Sequence, residues 1–169
     1  LGFAGREYRL PVVRVVRRRS APALLALFVV LALSLGGVSQ ATPENPTATL
    51  KLDGKPIRPE LARTSAQRSV GLMNRAIAPA DGMLFVFPTD TTGGFWMKNT
   101  LVPLKIVFFS AKGKRVRTLR MTPCTEEPCK IYSPRRRYRF ALELPATDTR
   151  PAKQLGPLVK LRRLARSAT

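Results

Sequence analysis

Met83-Leu84-Phe85-Val86-Phe87 is an unbroken apolar run between Gly82 and Pro88, and Leu104-Lys105-Ile106-Val107-Phe108-Phe109 has much the same character after Pro103. Both runs are too short for an ordinary helix, rich in aromatic and β-branched residues, and bounded by turn formers, so each reads as a strand. The first has no polar alternation, which implies burial on both faces. Toward the N-terminus, residues 49–52 alternate as a short strand, Asp53-Gly54-Lys55-Pro56 is a turn, and residues 57–62 are its hairpin partner. Thr64 opens a capping box with Gln67, which predicts a helix over residues 65–73, docked by Val70, Leu72 and Met73, with Gln67, Arg68 and Arg75 on its polar side.

Toward the C-terminus, Gly94-Phe95-Trp96-Met97 reads as a strand, and Ser110-Ala111-Lys112-Gly113 turns into another over residues 114–121. Strict alternation there places Arg115, Arg117 and Leu119 on one face and Val116, Thr118 and Arg120 on the other. Residues 140–144 form a further strand, residues 149–155 a short helix ending at Gly156, and residues 158–161 a last strand. The expected fold is α+β, mainly β: a small barrel-like or sandwich domain of six to eight short strands with one or two short helices. It spans residues 48–163, after a linker at 42–47 and before a basic tail at 164–169.

Four arginines lie between Arg14 and Arg19, residues 20–43 carry no charge, and residues 24–35 are densely apolar. The apolar stretch is shorter than the roughly 20 residues of a spanning helix and leads to the small-residue site Ser39-Gln40-Ala41. Residues 1–41 therefore read as an N-terminal extension and signal peptide, with the domain exported to the periplasm or beyond. Left uncut, the same segment is a signal-anchor and the sole expected membrane attachment.

The chain carries 30 Lys plus Arg against 10 Asp plus Glu, a formal charge of +20, and no histidine. Removing residues 1–41 takes away six arginines and one glutamate and leaves +15. The absence of histidine rules out Ser-His-Asp and Cys-His catalytic units and His-ligated zinc. There is also no nucleophile elbow, no Ser-x-x-Lys, and no Walker or dinucleotide glycine loop. No catalytic residue, metal or cofactor is expected. The enzymatic alternatives are Lys98 with Glu143, or an acid/base pair of Glu143 and Asp81.

Four strings occur in order: Gly71-Leu72-Met73-Asn74-Arg75, Gly82-Met83-Leu84-Phe85-Val86-Phe87, Phe95-Trp96-Met97-Lys98-Asn99-Thr100 followed by Pro103-Leu104, and Ala141-Leu142-Glu143. Over residues 48–161 the chain resembles the domain of unknown function 192 family. The resemblance implies a small barrel-like domain, often behind a signal peptide. Family members usually carry Asp where this chain has Lys105, an acidic residue where it has Gln67, and Gly-Asp where it has Gly156-Pro157. Carboxylate-based roles are weakened accordingly. Cys124 and Cys129, with Tyr132 after them, look like an insertion seen in exported members, and their spacing in an oxidising compartment suits a disulfide.

The Trp-Met-Lys-Asn-Thr string supports two readings. In one it lines a ligand cleft: Trp96 offers a stacking face, Lys98 and Arg75 clamp an anionic group, and Asn99, Thr100 and Glu143 complete the lining. In the other, Trp96 is core, Asn99 and Thr100 shape a turn, and Lys98 pairs with Glu143. Met73, Met83, Met97 and Met121 admit a Cu(I) alternative, opposed by the usual role of methionine as core filler. The basic clusters at Lys112 to Arg120, Arg135 to Arg139 and Arg162 to Arg166 suit an anionic envelope component or a small anionic ligand. Nucleic acid is expected as a partner only if the chain is not exported. The function expected is an exported binding or accessory module of the envelope with an anion-tolerant cleft.

Overall fold

The computed structural model describes residues 45–169, so the expected signal segment and the start of the linker lie outside the described residues. Ten elements follow in chain order: β1 (Leu50–Leu52), β2 (Lys55–Ile57), β3 (Glu60–Ala62), α1 (Ser65–Val70), β4 (Met83–Thr91), β5 (Leu104–Phe109), β6 (Arg115–Met121), β7 (Tyr138–Pro145), β8 (Leu155–Gly156) and α2 (Leu158–Arg166). They form a five-stranded sheet in the order β3-β4-β7-β5-β6 and a three-stranded sheet in the order β2-β1-β8. Only the β3–β4 pair is parallel. Neither sheet closes on itself, so of the two expected architectures the layered one is realised and the barrel is not.

The apolar runs set this arrangement. All six residues of β5 are buried, and the first four of β4 are buried as well. One face of the five-stranded sheet, carrying Leu84, Val86, Val107, Phe140 and Leu142, packs against Leu50, Leu52 and Ile57 of the small sheet and Leu161 and Ala165 of α2. The other face, carrying Met83, Phe85, Ile106, Phe108 and Ala141, is covered by Leu72, Met97 and Tyr132 from loops. Each face removes several large side chains from water, at about 1.5–3 kcal/mol per side chain. Three of the four methionines, Met83, Met97 and Met121, belong to this second core.

The capping box forms as read: Thr64 Oγ1 accepts from Gln67 N at 3.1 Å, and Gln67 Oε1 accepts from Thr64 N at 3.0 Å. Helix α1 is shorter than expected, ending at Gly71, and it does not dock through Val70, which is exposed. Arg68 does that work from the side read as polar. Its guanidinium lies 5.1 Å from the Phe87 ring centroid and donates to Val86 O and Thr169 O.

Five other expectations are corrected. Residues 57–62 are not one hairpin strand: β2 ends at Ile57 and β3 crosses to the larger sheet. Residues 94–97 contribute a single bridge, Phe95 to Tyr132. A bulge between Phe108 and Phe109 leaves Val116 unpaired, so Val116 and Leu119 both pack on the second core instead of facing opposite ways. Residues 149–155 are not helical, because the amides of Lys153 and Gln154 donate to Asp53 Oδ1 rather than back along their own chain. Residues 158–161 open α2, whose helical spacing buries Leu161 and Ala165, and Ala168 is buried just beyond its end; the segment read as a basic tail thus closes the domain.

Lys105 stands buried in β5, and all three of its ammonium donors are used, to Asp148 O at 2.7 Å, Asp148 Oδ1 at 2.8 Å and Arg150 O at 3.0 Å. Asp148 also binds Arg150, which reaches Asp81. Burial alone would raise the Asp148 carboxyl, but hydrogen bonds from Arg150 and Lys105 hold it below its ordinary value. The network ties the turn after β7 to the sheet. Lys105→Ala is expected to lower unfolding free energy by about 3 kcal/mol in urea denaturation, with the apolar Lys105→Met losing less.

Candidate functional site

Strand β7 is the middle strand of the larger sheet, with Leu142 and Leu144 in the first core and Ala141 on the opposite face. Alternation therefore sends Glu143 into the second face, in register with Met83 on β4 and Ile106 on β5. The residue is 4% exposed, and none of the side-chain hydrogen bonds or ion pairs among the described residues involves its carboxyl, which lines a cleft rather than being sealed in the core. Burial among apolar neighbours pushes it up to about 8. At neutral pH it is mostly protonated and offers one O–H donor beside acceptor oxygens.

A narrow cleft of about 30 Å³, room for one or two water molecules, reaches Glu143 between α1 and the loop after β4. Gly71, Phe85, Phe95, Trp96 and Thr100 line it with Glu143. Glycine is required at 71, where φ is +51° and a Cβ would sit 3.1 Å from the Phe85 ring. Gly82 is needed more strictly, because a Cβ there would overlap the backbone carbonyl of Glu143. Phe95 is fixed by two backbone hydrogen bonds with Tyr132, at 3.0 and 2.7 Å, and its ring stands edge-on to Phe85 at 4.9 Å.

Residues 96–100 then turn sharply. Asn99 adopts φ +54° and its carbonyl accepts from Asn74 N at 2.7 Å, while Thr100 N donates to Met97 O and Thr100 Oγ1 to Lys98 O. The turn role of Asn99 and Thr100 is realised, with Thr100 buried beside the cleft. Trp96 is not core: it is 50% exposed at the cleft, with Lys98 Nζ 5.9 Å from its ring centroid.

The expected anion clamp is not assembled. Arg75 makes a two-pronged pair with Glu60, at 2.7 and 2.9 Å, and does not line the cleft. Lys98 pairs with Glu127, not Glu143, at 2.5 Å. The reason is the disulfide: Cys124 and Cys129 are joined and close a loop that presents Glu127 to Lys98. Neither proposed acid/base pair forms, since Lys98 is held by Glu127 and Asp81 by Arg150. Among the described residues there is no group of three or more His, Cys, Asp or Glu arranged to hold a metal. With both cysteines oxidised and three methionines in the core, the Cu(I) ligand set is dispersed.

The arrangement of Arg68 and the Lys105 network were missed in the sequence, whereas Glu143 was visible through its Ala-Leu-Glu string. A carboxyl raised in the fold but near 4.5 in the unfolded chain is favourable while protonated, so its contribution is full below about pH 4.5 and is lost as pH rises toward 8. Chemical denaturation across that window should show wild-type stability falling by a few kcal/mol, and Glu143→Gln should remove most of the fall.

A search of curated proteins returns no match. Two solved structures are similar. One, described as a candidate transcription regulator from Sinorhizobium meliloti 1021, is 28% identical, with a TM-score of 0.61 over 69% of this chain and 97% of the other. The second, a protein of unknown function from Novosphingobium aromaticivorans DSM 12444, is 23% identical, with a TM-score of 0.56 over 66% of this chain and 85% of the other, and it supports the fold alone. The family model for DUF192, described as an uncharacterised ACR, matches residues 48–153, which include the four strings, Glu143 and the disulfide loop, and the chain belongs to that family.

Proposed function

We propose that this protein is an exported binding module of the cell envelope whose ligand lies over the cleft at Trp96 and sends a small polar group down to Glu143. The observation that carries the reading is a buried carboxyl with no partner among the described residues, reached by an aromatic-lined opening. Burying such a group unpaired costs free energy, and shifted carboxyls in clefts concentrate at functional sites. Trp96 provides the exposed stacking surface, backed by partly buried Phe95 and core Phe85, while the protonated carboxyl donates to a polar group of the ligand. An anionic group on that ligand draws Lys98 away from Glu127. Their pair is largely exposed, so releasing it costs less than about 1 kcal/mol. The separation of Lys98 from Glu143 favours binding over acid/base catalysis.

A second reading, nucleic-acid binding, is favoured by the net charge and by the description of the Sinorhizobium relative. Compartment separates the two. N-terminal sequencing of protein recovered from the producing cells should begin at Thr42 under the export reading; intact cytoplasmic chain that binds DNA with steep salt dependence would replace it with the second.

Trp96 is the single tryptophan, so its fluorescence reports on the cleft directly. In a thermal-shift screen of envelope-derived small molecules, a genuine ligand should raise the melting temperature and alter Trp96 emission. Glu143→Gln should weaken it about tenfold, and an anionic ligand should lose comparable affinity in Lys98→Met. A ligand that stabilises wild type and both variants equally, with Trp96 emission unchanged, places binding elsewhere.

A further inference from the structure

A larger hollow of about 290 Å³ lies on the opposite side of the five-stranded sheet, where the turn after β5, strand β7 and helix α2 meet. Three of its lining side chains, Lys112, Arg139 and Arg162, are cationic, and none is acidic. Its apolar surface comes from Phe140, Leu158 and Ala165; Phe140 and Ala165 belong to the first core, so this is not the cleft over Glu143.

Two of the three charges are uncompensated among the described residues. The side chains of Lys112 and Arg162 make no ion pair or hydrogen bond among the described residues. Arg139 donates Nε to Asp90 Oδ1 at 2.8 Å and Nη1 to Pro88 O at 3.1 Å, which leaves Nη2 unpartnered and orients the guanidinium. Asp90 thus offsets one of the three charges. Elsewhere, Glu60, Asp81, Glu127 and Asp148 are all bound in other ion pairs. Helix α2 starts at Leu158 on the pocket wall, with no acidic residue in its first turn and no side-chain cap, so its positive end adds to the field.

We propose that this hollow binds an alkyl phosphate, its phosphate among Lys112, Arg162 and the Arg139 fork, and its alkyl group against Phe140 and Leu158. Two unpaired cations plus a guanidinium edge match a phosphate dianion, and an apolar floor favours an ester over the inorganic ion. The same chemistry comes from a soluble phosphate ester or from a lipid phosphate headgroup.

Calorimetric titration of the secreted chain at about 0.15 M salt, where exposed charges are screened beyond about 8 Å, should detect hexyl phosphate binding and no hexanol binding. The double variant Lys112→Gln/Arg162→Gln removes two exposed side chains and should keep the wild-type melting temperature while losing at least about tenfold in affinity. Lys98→Met, on the other face, should bind hexyl phosphate as wild type does, which separates this site from the proposed cleft. Sedimentation with phosphatidylcholine vesicles, with and without phosphatidic acid, distinguishes the sources. Retention only on phosphatidic acid, lost in the double variant, marks a lipid headgroup, and hexyl phosphate binding without retention marks a soluble ester. Equal hexyl phosphate binding by wild type and double variant, or none by either, overturns the proposal.

Discussion

A strand buried on both faces has no side on which a charge is cheap, and the five-stranded sheet is built around such strands. Each polar residue placed there must be satisfied inside the fold or wait for something outside it. Adjacent strands show both outcomes. Lys105 on β5 points to the first face and finds three acceptors around the Asp148 turn. Glu143 on β7 points to the second and finds none among the described residues. The first is a structural ion pair that fixes how the chain leaves the sheet; the second is the reason to place ligand chemistry at the base of the Trp96 cleft.

The same contrast runs through the other charged residues of the domain. Lys105 is consumed by a local network on the first face and contributes nothing to the cleft on the second. Arg75 and Lys98 are drawn off in the same way by Glu60 and Glu127. What remains for a ligand is a single neutral carboxyl, three aromatic rings and a lysine held only by an exposed pair. The strong positive charge lies elsewhere, on surfaces where the few acidic residues are already engaged.

Residues whose structure is decided locally could be read from the sequence. Thr64 and Gln67 define a cap within four residues, Leu104 to Phe109 is a strand over the whole of its apolar run, and Cys124 and Cys129 close a short loop. Misreadings occurred where a distant element decides. Leu158 to Leu161 is too short to distinguish periods of two and 3.6, and the burial of Leu161 with Ala165, one turn on, settles it as helix. Val116 changes face because of a bulge opposite Phe109, which alternation does not encode. At the site, Glu143, Trp96 and Thr100 could be named, and their order along the chain was visible. That Lys98 would meet Glu127 rather than Glu143 depended on where the disulfide loop lands, 29 residues beyond it.

If Glu143 sits unpaired beneath the cleft, its own titration will show it, followed by the carboxyl carbon resonance in the folded protein and assigned with Glu143→Gln. The expected midpoint is near 8. A midpoint in the ordinary glutamate range of about 4 to 4.5 would mean that the carboxyl is solvated or paired and that the cleft holds no unsatisfied acid.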